Sequence, residues 1–118
     1  MASSILVLIT RPPYGLEEAF AGLRLALSTG VNGMKTSVVL MEDGVYNAVA
    51  SQKSEILKMP SNVEATKDLY DFDVQVLVVK EDLASRGIQE SRLFDGLKVI
   101  PREQLKEALS EHDIVTTF

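Results

Sequence analysis

The sequence predicts an α/β fold: a three-layer α/β/α sandwich around a mostly parallel five-stranded sheet. Three observations predict it. Ile5-Leu6-Val7-Leu8-Ile9, Thr36-Ser37-Val38-Val39-Leu40-Met41 and Asp73-Val74-Gln75-Val76-Leu77-Val78-Val79 are short apolar runs with little alternation. Strands that read this way are buried on both faces, as strands of parallel sheets are. The segments between them change to helical periodicity, and such alternation implies a sheet covered by helices. Turn-forming residues separate the two kinds of segment.

The elements follow in order. After the first strand, Thr10-Arg11-Pro12-Pro13-Tyr14-Gly15 forms a loop, because two prolines and a glycine break the pattern. Leu16, Ala19, Phe20, Leu23, Ala26 and Leu27 then share one helical face. Glu17 and Glu18 suit its first turn, and Gly30 is the expected stop. The second strand runs into Glu42-Asp43-Gly44, followed by a short helix over 45–50 and a loop over 51–60. Ser61 and Glu64 form a capping box that opens a helix to about Tyr70. The third strand ends at Lys80-Glu81-Asp82, and Arg86-Gly87 closes the short helix that follows. Leu97–Ile100 reads as a fourth strand, Pro101 as the entry to a helix over 102–110, and Asp113–Phe118 as a fifth strand. The crossovers are expected to be right-handed.

The 118 residues fit one domain, 1–118, with no repeat, low-complexity segment or linker. At 46% hydrophobic and 25% charged residues the composition is that of a folded chain rather than a disordered one. A net charge of −5, with no run of Lys or Arg, argues against a nucleic-acid partner. No apolar run reaches the ~20 residues that a membrane span requires. The first residues carry no basic stretch before a short apolar one, so the chain reads as cytoplasmic. There is no cysteine, which excludes disulfides, thiolate metal sites and thiol chemistry.

In an open α/β sheet, ligands gather beyond the carboxyl ends of the strands. Three loops arrive there, and they supply the candidate cleft residues Arg11, Tyr14, Asp43, Gly44, Lys80 and Glu81. Arg11 is a candidate anion contact beside a helix N-terminus; the alternative is an exposed loop arginine. Its loop is neither a G-x-G-x-x-G nor a P-loop pattern. Asp43 is expected to cap the next helix, and Gly44 to give backbone freedom or close approach. Lys80 is a candidate anion ligand or reactive amine; the alternative is a solvated charge cluster at a helix start. His112, the single histidine, suits the end of the last helix. One histidine makes neither a triad nor a metal cluster, and no metal or cofactor is expected. No nucleophile–base pair can be identified by spacing.

Several segments together resemble the DsrE/DsrF-like family. They are Arg11-Pro12-Pro13-Tyr14-Gly15 before an Ala/Leu-rich helix, Val39-Leu40-Met41-Glu42-Asp43-Gly44-Val45-Tyr46, Val78-Val79-Lys80-Glu81-Asp82-Leu83-Ala84-Ser85-Arg86-Gly87-Ile88, and Asp113–Phe118. The likeness is nearest to the DsrF/TusC branch, small subunits of bacterial sulfur-relay complexes, and covers nearly the whole chain. It implies a flavodoxin-like, DsrE-like three-layer domain. It also implies assembly as homotrimers or hexamers, or as hetero-oligomers with cysteine-bearing relatives. The family carries a persulfide-forming cysteine where the third strand meets its loop. Alignment on Leu83-x-x-Arg86-Gly87 puts that position at Val79 or Lys80, and neither offers the thiolate that a sulfur carrier needs. The resemblance therefore implies a noncatalytic subunit that stabilises or positions a partner, or forms a homo-oligomer. The alternative is a small-molecule or anion-binding module using the strand-end cleft. Enzymatic activity through Lys80 or an acidic side chain is the third and weakest option. Val99-Ile100, Ile114-Val115 and Phe118 are candidates for an exposed apolar edge, or simply complete the core.

Overall fold

A computed structural model of the chain describes residues 3–12, 18–49, 69–93 and 96–118. Among the described residues, five strands are present: β1 (Ser4–Ile9), β2 (Lys35–Leu40), β3 (Gln75–Val79), β4 (Lys98–Ile100) and β5 (Ile114–Thr117). The α-helices whose full span is described are α1 (Glu18–Val31), α2 (Lys80–Ser85) and α3 (Leu105–Ser110). The strands form one sheet in the order β4-β3-β2-β1-β5, and every pairing is parallel. This is the α/β class expected, with the apolar runs as its central strands.

The order explains the layers. The chain steps from β1 to β4 in one direction, then returns past three strands to place β5 beside β1. With right-handed crossovers, a reversed step puts its helix on the opposite face. Ala19, Leu23 and Ala26 of α1 and Leu83 of α2 accordingly pack with Val7, Ile9, Val38, Leu40, Val76 and Val78 on one face. Ala108 and Leu105 of α3 pack with Leu6, Val39, Leu77, Val79 and Ile100 on the other. Parallel central strands buried on both sides need apolar residues at successive positions, which is why their sequences run rather than alternate.

Two local signals resolve differently from expectation. Helix α1 passes Gly30 and ends at Val31. Its stop is Gly33, at φ 81. Gly33 N–H donates to the Gly30 carbonyl at 3.0 Å and Met34 N–H to the Thr29 carbonyl at 3.0 Å. That double bond pattern needs a left-handed residue after the helix, which glycine adopts at least cost. The segment after β2 is a 3-10 turn over Glu42–Ala48, beginning before the predicted helix. The predicted capping-box helix from Ser61 lies outside the described residues except for Leu69 and Tyr70, which are helical, and Tyr14 lies outside them as well. Arg86-Gly87 closes α2 as expected, with Ile88 N–H bonded to the Leu83 carbonyl at 3.0 Å. Among the described residues, no helix is long and apolar enough to cross a membrane.

Edge strands β4 and β5 differ. Ile100 of β4 is buried, whereas Ile114 and Val115 of β5 are 45% and 43% exposed. Phe118 extends the β5 ladder: its N–H donates to the Leu8 carbonyl and its own carbonyl accepts from Thr10 N–H, both at 2.8 Å.

Candidate functional site

The carboxyl ends of β1, β2 and β3 meet as the topology rule requires, and each brings a different part of the candidate site. At the end of β1 the backbone is closed tightly against the turn after β2. Met41 N–H donates to the Ile9 carbonyl at 3.0 Å and Gly44 N–H to the Met41 carbonyl at 2.8 Å. A Cβ on Gly44 would lie 1.9 Å from the Ile9 oxygen, so only glycine fits there. Asn47, fully buried, adds a second tie. Its side-chain amide donates to the Gly44 carbonyl at 2.9 Å and to the Arg11 carbonyl at 3.0 Å. Arg11 is thus held by its backbone, and the residue is exposed.

The ends of β2, β3 and β4 are joined by a charged network centred on Asp82. This carboxylate belongs to the first turn of α2 and is only 5% exposed. Its Oδ2 accepts the Glu42 backbone N–H at 2.7 Å, and its Oδ1 accepts from the Arg102 guanidinium. Arg86 stands 3.8 Å from the same Oδ1 and donates through Nε to Asp43 Oδ1 at 2.9 Å. Glu81 accepts the Arg102 backbone N–H at 2.9 Å. A buried carboxylate is stabilised by such partners, and loss of one leaves a desolvated polar group.

Asp43 therefore does not cap the turn that follows it. The N-cap position of that turn is Met41, which makes no side-chain cap bond, and the leading N–H of Glu42 is taken by Asp82; Asp43 reaches across to Arg86 instead. Glu42 occupies the left-handed region at φ 52, which aims its N–H at Asp82. Lys80 is exposed at the start of α2, with no hydrogen bond or ion pair to its ammonium group among the described residues. Asp82, Arg86, Arg102 and Asn47 were not among the candidate residues. Besides the local Asn47–Gly44 and Arg86–Asp82 contacts, the bonds that tie them across the strand ends reach partners 20 to 43 positions away, which no local spacing points to.

The position that the resemblance assigns to a cysteine is occupied by two unlike residues. Val79 is fully buried in the core beneath α3, and Lys80 faces solvent. Both guanidinium groups nearby are matched by carboxylates, so the network is a brace rather than an open anion site. Among the described residues, no group of three or more His, Asp or Glu could hold a metal ion.

The DsrE/DsrF-like family model matches residues 3–118. The uncharacterized protein MJ0989 of Methanocaldococcus jannaschii is 33% identical over 112 residues, which cover 95% of this chain and 96% of that protein. A TusC homolog of Vibrio parahaemolyticus is 27% identical over 118 residues, covering 98% and 99% of the two chains. Among solved structures, the ychN protein of E. coli superposes with a TM-score of 0.86 at 26% identity, over 98% of this chain and 99% of that one.

Proposed function

The chain belongs to the DsrE/DsrF-like family, and from that premise we propose that it is a subunit without sulfur-transfer chemistry of its own in a sulfur-relay-type assembly or homo-oligomer. Its role is to stabilise or position a cysteine-bearing relative. One observation carries this reading: the chain has no cysteine, and Val79 and Lys80 stand where the family's sulfur carrier is expected. Sulfane sulfur rides on a thiolate, and neither side chain supplies one. The brace around Asp82 supports the same reading, because it closes the strand ends with matched charges.

The β5 edge is the contact surface we assign to assembly. Its residues Ile114 and Val115 are exposed, and the strand carries no Lys or Pro to discourage pairing. The anion-binding alternative draws no support from Arg86 and Arg102, whose charges are already engaged.

Coexpression with a cysteine-bearing member of the family tests the proposal. Co-purification of the two chains as one species is expected. A strict monomer that ignores every such relative contradicts it.

A further inference from the structure

The single histidine of the chain forms a pair with a serine at the opposite end of the sheet from the Asp82 network. His112 follows α3, and its Nδ1 lies 2.6 Å from the Ala108 carbonyl oxygen. A carbonyl oxygen only accepts, so Nδ1 carries the ring proton. Nε2 of the neutral ring is then a lone pair, and it lies 3.1 Å from Ser37 Oγ. In the neutral ring the serine hydroxyl donates to it. The arrangement is a hydroxyl aimed at a base, and a base whose tautomer and orientation a third group fixes. Here that third group is a backbone carbonyl.

Ser37 is 4% exposed, yet it and His112 line a cavity of about 200 Å³. Leu77, Ile100 and Ala108 give the cavity an apolar side, exposed Gln75 and Lys98 bring an amide and an ammonium to it, and Gln104, Glu107 and Glu111 of the segment before His112 bring a second amide and two carboxylates. Register explains the grouping. Ser37 pairs with Gln75 and Leu77 pairs with Lys98, and paired residues of parallel strands share a face.

We propose that Ser37 and His112 form a nucleophile–base dyad for acyl transfer from small carboxylic esters. The apolar side takes a short acyl chain, and Lys98 and Gln75 are the groups available to the developing oxyanion. Ser37 Oγ bonds to the ester carbonyl carbon while its proton passes to His112 Nε2. The tetrahedral intermediate breaks its bond to the alcohol, which leaves with that proton. Water, deprotonated by His112, then breaks the acyl–Oγ bond, releasing the carboxylic acid and restoring the hydroxyl. The inference is independent of the sulfur-relay reading, since it uses other residues at the other end of the strands and no thiol.

The test uses the full chain with a fluorophosphonate probe and p-nitrophenyl acetate. A covalent adduct mapped by peptide mass to Ser37 is expected, with hydrolysis at buffer background in Ser37→Ala. His112→Gln is expected to slow adduct formation by about 100- to 10,000-fold, the usual contribution of a positioned base. No adduct on Ser37, or equal labelling in His112→Gln, overturns the proposal. If His112→Gln does not fold, wild-type labelling in D2O decides: a rate slower than in H2O supports transfer of the Ser37 proton to His112, and an equal rate overturns it.

Discussion

The Asp82 carboxylate accepts the backbone N–H of Glu42 at 2.7 Å, across 40 positions of sequence. This bond fastens the turn after β2 to the first turn of α2, and it holds Glu42 in the left-handed region at φ 52. Asp82→Ala removes the acceptor and leaves the Glu42 N–H without its partner. The expected loss is about 1.5–3 kcal/mol, the contribution of a hydrogen bond to a charged group. Arg102 is half-exposed and returns to water, which keeps the loss from reaching that of a fully buried ion pair. Urea denaturation measures it, and an unchanged midpoint contradicts the brace.

Gly44→Ala is expected to be more severe. The added Cβ would lie 1.9 Å from the Ile9 carbonyl oxygen, and backbone cannot move aside as a flexible side chain does. The loss should exceed the roughly 1–3 kcal/mol of ordinary overpacking. Circular dichroism of the variant during thermal unfolding reads it directly. A melting curve like that of the wild type contradicts the tight closure of β1 against the turn.

Tyr70 carries a buried hydroxyl with no hydrogen-bond partner among the described residues, and burial raises its pKa from 10.0 to about 12. The folded chain therefore holds the phenol proton more tightly than the unfolded chain does. This contribution is complete below about pH 10 and is lost as pH rises toward 12. Tyr70→Phe removes the unsatisfied group, so stability at neutral pH should hold or rise by about 1 kcal/mol. The alkaline decline should also flatten in the variant. Urea midpoints of both proteins from neutral pH to the phenol range check both outcomes, and a marked loss at neutral pH contradicts the account.

The β5 edge makes a separate prediction. Ile114→Lys places a charge on a residue that is 45% exposed in the single chain. Stability of that chain should change by no more than about 0.5 kcal/mol, as for most surface substitutions. Sedimentation should show smaller species than the wild type. An assembly of unchanged size removes β5 from the interface.

The fold was legible wherever burial is two-sided. Leu6 and Val7, or Val78 and Val79, face opposite layers and are all buried, and a run of apolar residues records that directly. Helix ends were legible only in part. The sequence points to Gly30 as the stop of α1, but the stop falls three residues later, where the backbone turns left-handed at Gly33. Topology places Arg11, Asp43, Gly44, Lys80 and Glu81 just beyond strand ends, Asp43 and Gly44 in the 3-10 turn and Lys80 and Glu81 in the first turn of α2. Their chemistry was not legible. Asp43 looked like a cap because a cap is the local use of such a residue, and its actual partner Arg86 is 43 positions away. His112 gave no sign of Ser37, which lies 75 positions earlier. Long-range polar contacts leave no periodicity, so only the folded chain reveals them.

Native mass spectrometry of this chain coexpressed with a cysteine-bearing relative, after exposure to a persulfide donor, tests the central claim most directly. The account predicts one assembly containing both chains, with added sulfur on the cysteine-bearing subunit alone. This chain appearing only as a free monomer, or itself carrying transferable sulfur, contradicts it.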